Sequence, residues 1–179
     1  MTNDDRIKEI LRSIGEDPER EGLLDTPGRV VRSWSELYSG YEKDPKDLLT
    51  VFEAGTYDQI VLLKNVEMYS QCEHHMLPFI GVAHIAYLPD KKVIGISKLA
   101  RLLDIYARRL QIQERIGDQV TDALMEYLEP KGAACIIEAQ HLCMQMRGVA
   151  KQNSVMITSS MRGVFRDPGV KDELLKLIK

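Results

Sequence analysis

Long apolar runs, excess positive charge and cysteine are all scarce in this chain, and each scarcity removes a class of function. No apolar segment approaches the roughly 20 residues that a membrane-spanning helix needs, so no membrane role is expected. The 179 residues carry 24 Lys and Arg against 27 Asp and Glu, a net charge of −3 at pH 7. That balance argues against a nucleic-acid partner or a polybasic lipid-binding patch, and any anion site must be a local cluster of cations. There are only three cysteines, an odd number, and the opening MTNDDRIKEI lacks the charged-then-apolar order of a signal peptide. A disulfide framework is not expected. A cytoplasmic protein with metal-binding or reactive thiols is.

Repeats, low-complexity tracts and linkers are also lacking, so the chain reads as one domain, 1–179, with a helical region over 1–55 and a core over 56–179. Ile7, Ile10, Leu11 and Ile14 recur at helical spacing behind Asp4 and Asp5. Thr26-Pro27 reads as an N-cap followed by proline, with Val30, Val31, Trp34, Leu37 and Tyr38 as the apolar stripe of a second helix. After Tyr57, IVLLKNVEMYS and FIGVAHIAYLP read as strands, and VIGI as the end of another. Ser97 reads as the cap of a helix carrying Leu99, Leu102, Leu103 and Tyr106. A further helix runs from Ile112 to Tyr127, and Pro130 stops it. ACIIEAQHLCMQM and NSVMITSSM complete the strands, and VKDELLKLI forms a last amphipathic helix. Helices, two strands, two helices, two strands and a helix predict an α+β fold with antiparallel pairs.

Two of the four histidines and one cysteine fall within QCEHHMLPF. Cys72 and His75 have the C-x-x-H spacing of a zinc half-site, though that spacing also suits a buried free cysteine beside a turn histidine. HLC supplies a second cluster: on a strand, His141 and Cys143 share a face. Cys135, among apolar neighbours, reads as a core thiol. Cys72, His75, Cys143 and one spare histidine are thus the candidate ligands. Four would close a structural site. Three would leave the metal open, with His74 and His141 beside it to move protons in metal-assisted hydrolysis. A packing role for His141, or one orienting a ligand, is the alternative.

Cations stand where helix starts disfavour them: Lys98 and Arg101 behind Ser97, and Arg29 behind Thr26. Each is ordinary as a solvated residue. Together, behind exposed N–H groups, Lys98 and Arg101 would cradle phosphate. Arg147 adds a cation beside Gly148 just past the second cluster. Glu114 at a helix start is explained by the dipole alone. Residue chemistry therefore leads to a zinc-dependent hydrolytic enzyme for a phosphorylated small molecule, without naming the substrate.

Ser70-Gln71-Cys72-Glu73-His74-His75 with Pro78-Phe79, Gly95-Ile96-Ser97-Lys98 with Arg101, Gln113-Glu114-Arg115, and His141-x-Cys143 with Arg147-Gly148-Val149 together resemble the GTP cyclohydrolase I family. The resemblance runs from Thr26-Pro27-x-Arg29 to TSSMRGVF. It implies conversion of GTP and water to formate and 7,8-dihydroneopterin triphosphate, the first step toward folates or biopterin. It implies Zn2+ on Cys72, His75 and Cys143, and catalytic His74 and His141. It further implies Gln113 and Glu114 at the guanine edge, and Ser97, Lys98, Arg101 and Arg147 at ribose or triphosphate, with Arg29 from a neighbouring subunit. The implied fold is the tunnelling fold, antiparallel ββααββ units assembling into an oligomeric barrel, typically a homodecamer with sites between subunits. Two other readings remain: a four-ligand structural-zinc module without catalysis, and a related tunnelling-fold enzyme for another pterin or purine. A nucleobase deaminase is disfavoured because P-C-x-x-C is missing.

Overall fold

The computed structural model describes residues 1–48, 51–53 and 57–179. The expected boundary between residues 55 and 56 lies outside them. Two compact units are present, Met1–Ser39 and Gly40–Lys179.

The first unit holds α1 (Asn3–Ser13) and α2 (Thr26–Leu37). Thr2 and Asp5 form a reciprocal capping box at the start of α1, satisfying two N–H groups that the helix itself cannot. At α2 the cap position falls to Asp25 rather than Thr26. Its carboxylate accepts from Arg29 Nη2 at 3.0 Å instead of from the backbone.

In the second unit the elements are α3 (Pro45–Leu48), β1 (Val51–Glu53), β2 (Val61–Cys72), β3 (Pro78–Leu88), β4 (Lys92–Ile94), α4 (Ile96–Ala107), β5 (Leu110–Gln111), α5 (Gln113–Tyr127), β6 (Gly132–His141), α6 (Leu142–Gln145), β7 (Met156–Gly163) and α7 (Pro168–Ile178). One sheet has the order β5-β2-β3-β6-β7, antiparallel except for the short β2–β5 pair; β1 and β4 form a separate ribbon. The two long strand pairs flank two helices, as the sequence order predicted. The alternation of the strands gives the sheet two apolar faces. One, with Met68, Phe79, Ile85 and Ile137, buries against Leu102, Leu103, Ile116 and Leu124 of α4 and α5. The other, with Ala86, Ala134 and Ile136, packs on Phe165 and Leu174.

β3 is the central strand, and it approaches β6 closely. Gly81 lies opposite Ala139, where an added Cβ would meet the Glu138 carbonyl oxygen and come within 2.6 Å of Ala139 Cα. This tight pairing leads directly to the Phe79–His141 pair at the end of the ladder.

Two further local expectations are corrected. The strand expected to run through HLCMQM stops at His141, and Leu142–Gln145 is a helical turn. The partner strand gives the reason: β3 begins at Pro78, which has no N–H to extend the ladder. His141 and Cys143 are therefore not same-face neighbours on a strand. Likewise Gly95, not Ser97, is the N-cap of α4, and its carbonyl accepts the Lys98 N–H at 2.8 Å.

His84, 4% exposed on β3, couples the fold to pH. Its Nδ1 accepts the Asn65 N–H at 3.3 Å, where β2 bulges, and its Nε2 lies 3.8 Å from Glu138 Oε1. Burial holds its pKa below the ordinary 6.5, against the opposing effect of Glu138, and Lys64 lowers it further. The unfolded chain thus takes up the proton more readily than the folded one. His84 contributes its stability in full above pH 6.5 and loses it as pH falls from there toward the folded pKa. The melting temperature is expected to drop as pH falls below 6.5, and the drop should shrink in His84→Gln, measured by calorimetry.

Candidate active site

The turn between β2 and β3 is built around one residue. The Cys72 carbonyl accepts the N–H groups of His75 (3.2 Å) and Met76 (2.8 Å), and the Cys72 N–H donates to Leu77 O (2.9 Å). Met76 takes a positive φ of 53° to close the turn. This curl brings His75 Nδ1 to 3.6 Å from Cys72 Sγ. The one-turn helix α6 delivers Cys143 to the same place. One ligand atom from each of Cys72, His75 and Cys143 lies within 4.8 Å of the others, the one such Cys/His/acid group among the described residues.

The donor set fits a cation. For a tetrahedral ion held at about 2.3 Å by sulfur and about 2.0–2.1 Å by nitrogen, the S···N edge is about 3.6 Å. Burial raises the Cys143 pKa, and the Cys72 thiol beside it raises it further. A bound cation is what would stabilise the Cys143 thiolate against that burial. Cys135, by contrast, is fully buried with its pKa pushed up to about 12, an inert core thiol as the sequence suggested.

His141 ends β6 beside this group, stacked on Phe79 with ring centroids 4.6 Å apart and planes 4° from parallel. Its Nε2 lies 2.9 Å from Gln113 Oε1. Gln113, 1% exposed, directs its amide nitrogen at Ile137 O (3.0 Å), Met156 O (3.1 Å) and Thr158 Oγ1 (3.0 Å). The carbonyl acceptors fix which end of the amide is nitrogen, so Oε1 must accept from His141 Nε2–H. Neutral His141 therefore keeps its Nδ1 lone pair. Burial lowers its pKa, and the Glu114 carboxylate acts in the opposite direction.

Cys72, His74, His75, Gln113, Glu114, His141 and Cys143 line one cavity of about 480 Å³. His74 is exposed, its Nδ1 3.9 Å from Cys72 Sγ. Arg147 Nη1 lies 3.3 Å from His75 Nε2. Ser97, Lys98 and Arg101 do not line this cavity. Arg101 borders a different one, with Glu42, Asp47 and Asp104. Arg29 belongs to the first unit, paired with Asp25. No sequence signal marks the Phe79 stack, and the family resemblance places Gln113 at the guanine edge, whereas in this structure its amide nitrogen turns inward. A glutamine flanked by Ile112 and Ile116 at a helix start was the available sign that its amide turns inward.

The profile of one family, GTP cyclohydrolase I, matches residues 3–179. The chain is 58% identical over 178 residues to a protein named GTP cyclohydrolase 1 from Wolinella succinogenes, spanning 98% of this chain and 95% of that one. It is 51% identical to the GTP cyclohydrolase 1 of Streptomyces avermitilis (96% of this chain, 87% of that one) and 53% identical to that of Leptospira biflexa (97% and 96%). Similarity of this extent, spanning both Cys/His clusters and the helix that holds Gln113 and Glu114, places the chain in the GTP cyclohydrolase I family.

Proposed function

We propose that this protein is a zinc-dependent GTP cyclohydrolase that hydrolyses and rearranges GTP to formate and 7,8-dihydroneopterin triphosphate, opening pterin and folate synthesis. The observation that carries this reading is the convergence of Cys72, His75 and Cys143 in one cavity with His141 and Glu114. Bound by three protein ligands, zinc would supply a Lewis acid that brings the pKa of water to near neutral.

The chain's own residues do the rest. Glu114 accepts two N–H bonds from the guanine edge, a pattern that adenine cannot offer. Gln113 has its amide committed to His141 and to backbone, so it acts on the reaction by holding that imidazole. With Nε2–H tied down, His141 moves protons at Nδ1. His74, reaching the cavity from the turn, protonates the guanine imidazole nitrogen as that ring opens. Arg147 stands beside the metal ligands with charge for the triphosphate.

Ser97, Lys98 and Arg101 complete the phosphate site from the start of α4, and Arg29 joins from a neighbouring subunit. This division is the reason we infer an oligomer, a decamer of tunnelling-fold units. The ββααββ order and the edge strand β7, with Ile157 exposed, support side-by-side joining of sheets. No helix among the described residues is long and apolar enough to cross a membrane, and we assign the enzyme to the cytoplasm. Formate release from GTP by the zinc-loaded protein, with a fluorescent pterin after oxidation, tests the reading. Absence of formate would overturn it.

A further inference from the structure

Glu73 and Arg115 sit inside the C-E-H-H and Q-E-R stretches, yet neither lines the cavity. They meet each other instead. Arg115 Nη1 donates to Glu73 Oε2 at 2.6 Å and Nη2 to Oε1 at 3.2 Å, a two-pronged ion pair between the metal-ligand turn and the first turn of α5. Nη1 also reaches Gln111 Oε1 at 3.3 Å. Gln111 is a fixed point: 2% exposed, it donates through Nε2 to Tyr106 O (3.0 Å) and Gln119 Oε1 (2.7 Å). Its main-chain carbonyl accepts the Glu73 N–H at 3.0 Å, and β5 runs parallel to Gln71 and Cys72. Glu73 is thus fastened twice, by its backbone to Gln111 and by its carboxylate through Arg115 to the same residue.

An isolated exposed ion pair holds little. A forked guanidinium–carboxylate pair seated on a buried amide fixes distance and direction, because both prongs must be satisfied together. The positions of its ends matter more than its strength. Glu73 is flanked by Cys72 and His74, with His75 next. Arg115 directly follows Glu114 and lies two residues after Gln113, which holds His141.

We propose that Glu73 and Arg115 are positioning residues, forming a clamp that keeps the metal ligands of the C-x-x-H turn in register with Glu114 at the start of α5. The proposal rests on the zinc reading of the site. Loss of either member lets the turn drift from the helix while the fold persists, since both side chains lie at the surface.

The test uses full-length, zinc-loaded protein and needs no substrate for its first readout. Zinc transfer to a chromophoric chelator is timed for wild type, Glu73→Gln, Arg115→Gln, Arg115→Lys and the double Gln variant, with KM for GTP and melting temperature measured on each. Either single Gln variant is expected to release zinc about tenfold faster and to raise KM several-fold at an unchanged melting temperature. Arg115→Lys, which keeps the charge and loses the fork, should fall between wild type and Arg115→Gln. The double variant should be no worse than the singles, because each already removes the same pair. Release rates within about twofold of wild type, or single effects that multiply in the double variant, would overturn the clamp. If wild type holds zinc and makes formate while the variants are unchanged, the clamp alone fails. If wild type holds no zinc, the clamp and the zinc reading fail together.

Discussion

Cys143→Ala is expected to leave the protein without retained zinc and to lower formate release from GTP by about a thousandfold or more, since the activated water is lost with the metal. Of the three side chains that could hold the ion, Cys143 is the one that reaches the site from outside the β2–β3 turn. Without it, Cys72 and His75 form an adjacent two-donor pair, too few for the closed or open geometries that zinc occupies in proteins. The loss should be chemical rather than structural. Cys143 lies at the margin of the main core on a single helical turn, whereas Cys135, fully enclosed within β6, is where a thiol serves packing. Elemental analysis of the purified variant, beside circular dichroism, separates the two effects. Stoichiometric zinc in Cys143→Ala would show that the ligand set has been misassigned.

His74→Ala and His141→Ala are expected to keep stoichiometric zinc while turnover falls by about 10²–10⁴-fold, the range of a positioned general acid or base. For His141 the geometry makes the argument. Its ring is pinned by the Phe79 stack and by Gln113 Oε1, which leaves Nδ1 as the atom able to exchange a proton. In the competing four-ligand structural module, one of these histidines would be a ligand, and its removal would release the metal. Zinc content and single-turnover formate yield, measured on the same samples, distinguish these outcomes.

Much of this site was legible in the sequence because its signals are local. The C-x-x-H turn, closed by three backbone bonds around Cys72, is contained in six residues, and Pro78 marks where β3 begins. The strand–helix–helix–strand order followed from apolar periodicity, since α4 and α5 show their buried faces at regular spacing. The unread parts depend on contacts between distant segments. β1 is three residues long and exists by pairing with β4, a partnership that no local pattern encodes. The turn of strand into helix at Leu142 depends on where a neighbouring strand ends. The inward commitment of Gln113 depends on carbonyls of Ile137 and Met156, 24 and 43 residues away. Glu73 and Arg115 were quoted in two separate motifs, and only the folded chain joins them across 42 residues.

Three side chains, Cys72, His75 and Cys143, would hold a metal whose chemistry opens the guanine ring of GTP. Formate release from GTP, followed before chelation, after chelator treatment and after zinc is restored, tests it most directly. One formate is expected per GTP consumed, with loss of release when the metal is removed and recovery on adding zinc back. Formate released at an undiminished rate by protein shown to be free of metal would contradict it.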